Sequence, residues 1–186
     1  MPPKVKVTKE KIIDAAVQIV RESGTQALNA RTVAAQLDCS TQPVFSNFAS
    51  MEELRTAVLK RADELCFEYI RRETERGEYP AYKASGMAYI RFAKEEKELF
   101  KLLYMRDRAG EQEERESVLT GHMENVVHDT TKLEGAEAQL FHLEMWVYVH
   151  GIAVMFATGF LDLEWELVSK MITDAYQGHR KQYGLE

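Results

Sequence analysis

Apolar residues recur at intervals of three and four along almost the whole chain, and no segment alternates strictly between hairpin-type turns. A chain patterned this way buries one helical face at a time, so it folds as an all-α protein of about nine helices. Thr8 is placed to cap a first helix with a stripe of Ile12, Ala15, Ala16, Ile19 and Val20, and Gly24 to stop it. Asn29 caps a short helix, Ala30 to Leu37. Ser40 caps a third, Thr41 to Phe45, with Pro43 in the first turn, where a missing N–H costs nothing. Ser50 and Glu53 read as a capping box that opens a long helix ending in the charged stretch Arg71 to Gly77. Pro80 opens a helix through Phe92, and Leu99 to Tyr104 form a compact apolar one. Arg106 to Glu116 is a charge-dense connection, and Leu119 to Val127 line a further helix with Gly135 as its stop. An apolar helix then spans about Ala136 to Thr158, before a last amphipathic helix carrying Trp165 and His179.

Composition narrows the class. With 45% hydrophobic residues, 10 Gly and 4 Pro among 186 residues, the chain has core enough for one or two small domains and is neither low-complexity nor collagen-like. Cys39 and Cys66 form neither a disulfide framework nor a CxxC pair, which fits a reducing cytoplasmic compartment. The N-terminus lacks the apolar run of a signal peptide. The longest stretch without Asp, Glu, Lys or Arg, Met145 to Leu161, holds 17 residues. That is short of the roughly 20 a span needs, so no membrane role is expected.

The net charge of -6 argues against nucleic acid as a partner until it is divided. Residues 1–61 carry 9 Lys+Arg and 6 Asp+Glu, a net of +3, and the remainder carries -9. The two short helices joined by Asp38 to Ser40, with a longer helix before them, have the arrangement of a helix-turn-helix DNA reader, although their spacing alone fits a generic helical hairpin equally well. Ser40, Thr41, Gln42, Ser46 and Asn47 would supply the polar groups that face base edges.

The residues decide between these readings. Lys11-Ile-Ile-Asp-Ala-Ala16, Arg31-Thr-Val-Ala34, Cys39-Ser-Thr-Gln-Pro-Val-Phe-Ser-Asn-Phe48 and Met51-Glu-Glu-Leu54, in that order and spacing, closely resemble the DNA-binding domain of the TetR family of transcriptional regulators. The resemblance covers roughly the first third of the chain. It implies a helix-turn-helix domain over residues 1–50, with the start of the fourth helix to about 61 as connector, and an effector-binding and dimerisation domain over 62–186. It also implies a cytoplasmic homodimer, joined through its last two helices, that represses transcription from an inverted-repeat, double-stranded DNA operator until a small effector releases it. Two positions depart from the family pattern: Phe45 stands where Tyr is usual and Met51 where Lys is usual, so both lack the group that reaches phosphate. Lys4, Lys6, Lys9 and Arg31 are therefore expected to carry more of the backbone contact. Further on, Trp146-Val-Tyr-Val-His150-Gly151 resembles the Trp-x-x-x-His-Gly signature of one regulatory-domain subgroup.

In the second domain Phe67, Met87, Phe92, Leu103, Tyr104, His122, Met123, Val126, Trp146 and His150 are expected to line a pocket for a hydrophobic or aromatic effector. Met145, Val149, Phe156, Trp165, Val168, Ile172, Ala175 and His179 are expected to form the dimer interface, as more apolar surface than one small subunit buries alone. No metal and no cofactor is expected. None of the five His stands three residues after a Glu, His-Glu-x-x-His is absent, and a lone His on an apolar face is more often a hydrogen-bonded core residue than a ligand. There is no Gly-rich phosphate loop and no catalytic constellation, so the chain does not read as an enzyme; the competing class is an all-α ligand- or metal-binding protein or enzyme that never touches DNA.

Overall fold

Residues 7–106 and 118–185 are described by a computed structural model, the side chains of 118–124 excepted. Lys4, Lys6, the side chains of His122 and Met123, and most of the Arg106 to Glu116 connection lie outside the described residues. Among these residues there are nine α-helices and no strand: α1 (Lys9–Ser23), α2 (Ala30–Gln36), α3 (Gln42–Asn47), α4 (Met51–Arg76), α5 (Ala81–Glu95), α6 (Lys97–Tyr104), α7 (Val118–Thr131), α8 (Gly135–Thr158) and α9 (Trp165–Gln182). A 3-10 turn, Thr25–Ala27, follows α1. The expected all-α class is the one found.

The chain divides into two compact units. The first runs to Asp63 and takes in the stretch beginning at Glu98, so it holds α1 to α3, the first half of α4, and most of α6. Thr8 caps α1 by accepting the Lys11 N–H on its hydroxyl. Gly24 ends it at φ +74, where the backbone favours glycine, and a Cβ there would stand 3.0 Å from Glu98 Oε2, the movable end of a side chain. Ile12, Ala16 and Val20 of α1, Val33 of α2, Val44 of α3, Phe48 and Leu54 are all but fully buried. Burying a ring such as Phe48 contributes on the order of 1.5–3 kcal/mol.

The second unit begins at Glu64 and holds the rest of α4, then α5, α7, α8 and α9. Its α5 packs against α7, α8 and α9, and it is lined inward by Ala84, Met87, Ala88, Ile90, Phe92 and Ala93. Gly86 brings α5 close to both of the last two helices: a Cβ there would touch Val149 and Ile172. The structure moves one stop signal. α7 ends through Lys132 at φ +64, whereas Gly135 is the first residue of α8. Gly159, left-handed at φ +69, closes α8, and Gly151 within it is exposed, with nothing near the position a Cβ would take.

Candidate functional site

The turn between α2 and α3 is built from the backbone. The Cys39 N–H donates to the Ala34 carbonyl at 3.0 Å and the Asp38 N–H to Ala35 at 3.2 Å, the paired bonds that close a helix through one left-handed residue. Asp38 takes that place at φ +48, which Asp tolerates better than other side chains with a Cβ. At the start of α2, Asn29 Oδ1 accepts the N–H groups of Arg31 and Thr32 while Thr32 Oγ1 accepts that of Asn29, so the helix that precedes the turn is held at both ends.

The cap of α3 is Thr41 and not Ser40, and neither side chain caps it; Pro43 takes the first turn, and the helix runs two residues beyond Phe45. Two of the expected base-facing groups are turned onto their own helix. Ser46 Oγ donates to the Gln42 carbonyl at 2.9 Å and Asn47 Nδ2 to that of Pro43 at 2.8 Å. Gln42 and Ser40 are exposed, and Phe45 presents 53% of its surface to solvent. Arg31 is exposed as well, and so is Ser46 despite its bond to the helix backbone.

Lys9 is also exposed, but it is paired within the protein. Its Nζ lies 3.1 Å from Glu53 Oε1 and 4.7 Å over the Phe48 ring, which ties the first turn of α1 to the first turn of α4. Glu53 accepts the Ala49 N–H at 2.7 Å, one residue upstream of the position that the capping-box pattern indicates, while Ser50 Oγ accepts the Glu53 N–H. The Ala49 N–H first, and Lys9 second, hold the Glu53 carboxyl below its ordinary value. Sequence reading missed this clamp because its partners lie 44 residues apart. Met51, half-buried, opens α4.

In the second unit α5 and α8 are joined by two Tyr–His links. Tyr82 Oη meets His142 Nδ1 at 3.1 Å, and Tyr89 Oη meets His150 Nδ1 at 2.9 Å. Burial pushes both phenols up and the His150 imidazole down, so each Tyr keeps its proton and His150 favours the neutral ring. Trp146 stacks on His150 with centroids 4.6 Å apart and planes 17° off parallel, which gives the Trp-x-x-x-His spacing a physical basis one turn apart on α8.

The expected pocket residues are not gathered into one unit. Met87 and Phe92 are buried on α5; Phe67, Val126 and His150 are half-buried and Trp146 is part-exposed; Leu103 and Tyr104 belong instead to α6, in the unit of α1 to α3. The expected dimer face also changes. Met145, Val149, Phe156, Val168 and Ile172 are each at most 7% exposed within the single subunit, and Trp165, Ala175 and His179 are half-buried. Their apolar stripe is the subunit's own core. α8 is apolar on every side, so periodicity could not tell which face turns inward; the face left to solvent carries Leu140, Leu143, Val147 and Met155. By length and composition α8 is also long and apolar enough to cross a membrane, which the 17-residue uncharged run understated. Among the described residues no group of His, Cys, Asp or Glu could hold a metal ion.

The family model of the tetracyclin repressor-like C-terminal domain matches residues 82–174. The chain belongs to the TetR family. Solved TetR-like structures agree on the fold. A TetR-like transcriptional regulator from Rhodococcus sp. RHA1 has a TM-score of 0.67 at 17% identity, covering 99% of each chain. MexZ, a key repressor responsible for antibiotic resistance in Pseudomonas aeruginosa, has a TM-score of 0.64 at 19% identity, covering 97% of this chain and 98% of its own. The multidrug binding protein EbrR complexed with ethidium has a TM-score of 0.58 at 21% identity, covering 94% of this chain and 99% of its own. No curated protein sequence matches the chain significantly.

Proposed function

We propose that this TetR-family chain is a DNA-binding transcriptional regulator without enzymatic activity: a cytoplasmic homodimeric repressor that binds an inverted-repeat operator and is released by a small hydrophobic or aromatic effector. The observation that carries the reading is the α2–α3 pair, closed by its left-handed Asp38 and presenting Gln42 and Phe45 to solvent, in a chain whose second half matches the family's regulatory domain. Gln pairs with adenine edges and an exposed ring contacts thymine methyls, so the two suit a major-groove surface. Residues 1–50 form the DNA-binding domain, the start of α4 to about 61 the connector, and 62–186 the effector-binding and dimerisation domain.

The exposed α8 stripe of Leu140, Leu143, Val147 and Met155, with Leu167 on α9, supports a second copy as partner, since such a row would otherwise face water. A homodimer that reads an inverted repeat would engage two successive major grooves, about 34–36 Å apart. The Trp146–His150 stack supports the Trp-x-x-x-His-Gly subgroup, and the ethidium complex of EbrR supports an aromatic effector. No membrane role is proposed for α8, whose Phe141, Met145 and Ile152 face lies inside the subunit. Fluorescence anisotropy on the duplex upstream of the chain's own gene tests the proposal. Saturable binding that Gln42→Ala weakens is expected; no binding to any operator-like duplex at low salt would overturn it.

A further inference from the structure

The second unit buries a carboxylate that neither the helix-turn-helix nor the Tyr–His links use. Glu73, near the end of α4, is 2% exposed. Its Oε2 takes Arg76 Nη1 at 3.0 Å and stands 3.5 Å from Arg91 Nε on α5. Its Oε1 and Arg91 Nε are both shielded from solvent and have no hydrogen-bond partner among the described residues. An orphaned acceptor and an orphaned donor thus sit side by side, and buried polar groups are rarely left so. Arg91 also lies 4.6 Å over the Trp165 ring, which stacks in turn on Phe156 at 5.8 Å. Across α4, Tyr69 meets the Phe92 ring edge-on and donates to Glu95, which lies 3.9 Å from Arg91.

We propose that Glu73 and Arg91 form a subsite for a neutral carboxamide carried on an aromatic body. An amide N–H would donate to Glu73 Oε1 while its carbonyl accepts from Arg91 Nε, so that one planar group satisfies both atoms. The surrounding charges favour a neutral ligand over either ion, because Arg76 and Arg91 already balance Glu73 and Glu95. Aromatic rings from α4, α5, α8 and α9 supply the flanking surface. Arg76, the last residue of α4 and half exposed, is the one partner that can swing aside to admit it. This subsite rests on the reading of the second unit as the effector-binding one.

Isothermal titration of the full chain with benzamide, with benzoate and benzylamine as charged analogues, tests it, and the indole N–H resonance of Trp165 reports the place of binding. Benzamide should saturate, move that resonance, and bind at least 10-fold tighter than either analogue. Arg91→Lys and Glu73→Gln should each weaken it 10-fold or more; if Glu73→Gln fails to fold, Arg91→Lys decides. Unchanged affinity in Arg91→Lys, equal binding of the charged analogues, or a co-crystal with only water between Glu73 and Arg91 would overturn the subsite. Operator binding without benzamide binding would sink the subsite alone; benzamide binding without operator binding would sink the regulator reading alone.

Discussion

Lys9 and Glu53 face each other at 3.1 Å, with the Phe48 ring beneath the ammonium, so an exposed lysine of α1 is paired within the protein itself. The pairing gives a residue expected at phosphate a second place, in the frame that joins α1 to α4. It also gives the head a pH dependence. The Glu53 carboxyl titrates below its ordinary value in the fold, so the unfolded chain takes up a proton first as pH falls. The stability it contributes is complete above the ordinary carboxylate value and is lost as pH drops through the folded one. Glu53→Gln should flatten the acid side of a melting-temperature profile and leave its neutral side less stable than wild type; identical profiles would show that the clamp contributes nothing.

For DNA the same pairing separates two cations. Arg31 is exposed, so Arg31→Ala should reduce the slope of log affinity against log salt by about one. Lys9→Ala should leave that slope nearly unchanged. Anisotropy titrations at several salt concentrations would read both, and a larger change from Lys9→Ala would return Lys9 to the phosphate-binding set.

The two faces of α8 should respond in opposite ways. Val147, 57% exposed, faces solvent, and Val147→Glu should yield a monomer by light scattering with melting little changed. Met145, 3% exposed, faces the core, and Met145→Ala should cost about 2–5 kcal/mol in chemical unfolding of the subunit. Dissociation by Met145→Ala without loss of subunit stability would reverse the assignment of the faces.

How far the sequence could carry this follows from what its signals are made of. Thr8, Asn29 and Gly24 act through bonds a few residues long, and the structure finds each where local rules put it. The α3 cap lies at Thr41 and not Ser40, and sequence could not separate the two because either residue suits the role chemically. The faces of α8 were illegible because a helix apolar on all sides has no preferred direction, and Glu73 was hidden inside a charged stretch that reads as a solvated helix end. That Leu103 and Tyr104 cluster with α1 to α3 was not legible, because apolar composition does not say which neighbour a short helix joins.

His150 supplies a second pH effect of the same sign in a different window. Burial holds its folded value below the ordinary one near 6.5, so the fold favours the neutral ring that is bonded to Tyr89. Stability is full above that ordinary value and falls as pH drops through the folded one. His150→Gln should remove this portion of the profile below the ordinary imidazole value. Tyr89→Phe should cost about 0.5–1.5 kcal/mol at neutral pH by removing the bond between the two side chains. Equal melting of Tyr89→Phe and wild type would mean that the link does not hold α5 to α8.

Gly151 sits on the exposed side of α8 with no atom within 4 Å of the place a Cβ would take. In an isolated subunit alanine there would fit without contact and make a better helix by about 0.8–1 kcal/mol. Gly178 on α9 is open in the same way. A single copy is therefore a worse folder than it needs to be at two positions, both on the helices proposed to meet a second copy. That pattern suits a sequence whose optimum is set by the pair: a bare glycine lets another backbone come closer than any side chain would allow, and the subunit alone bears its entropic penalty.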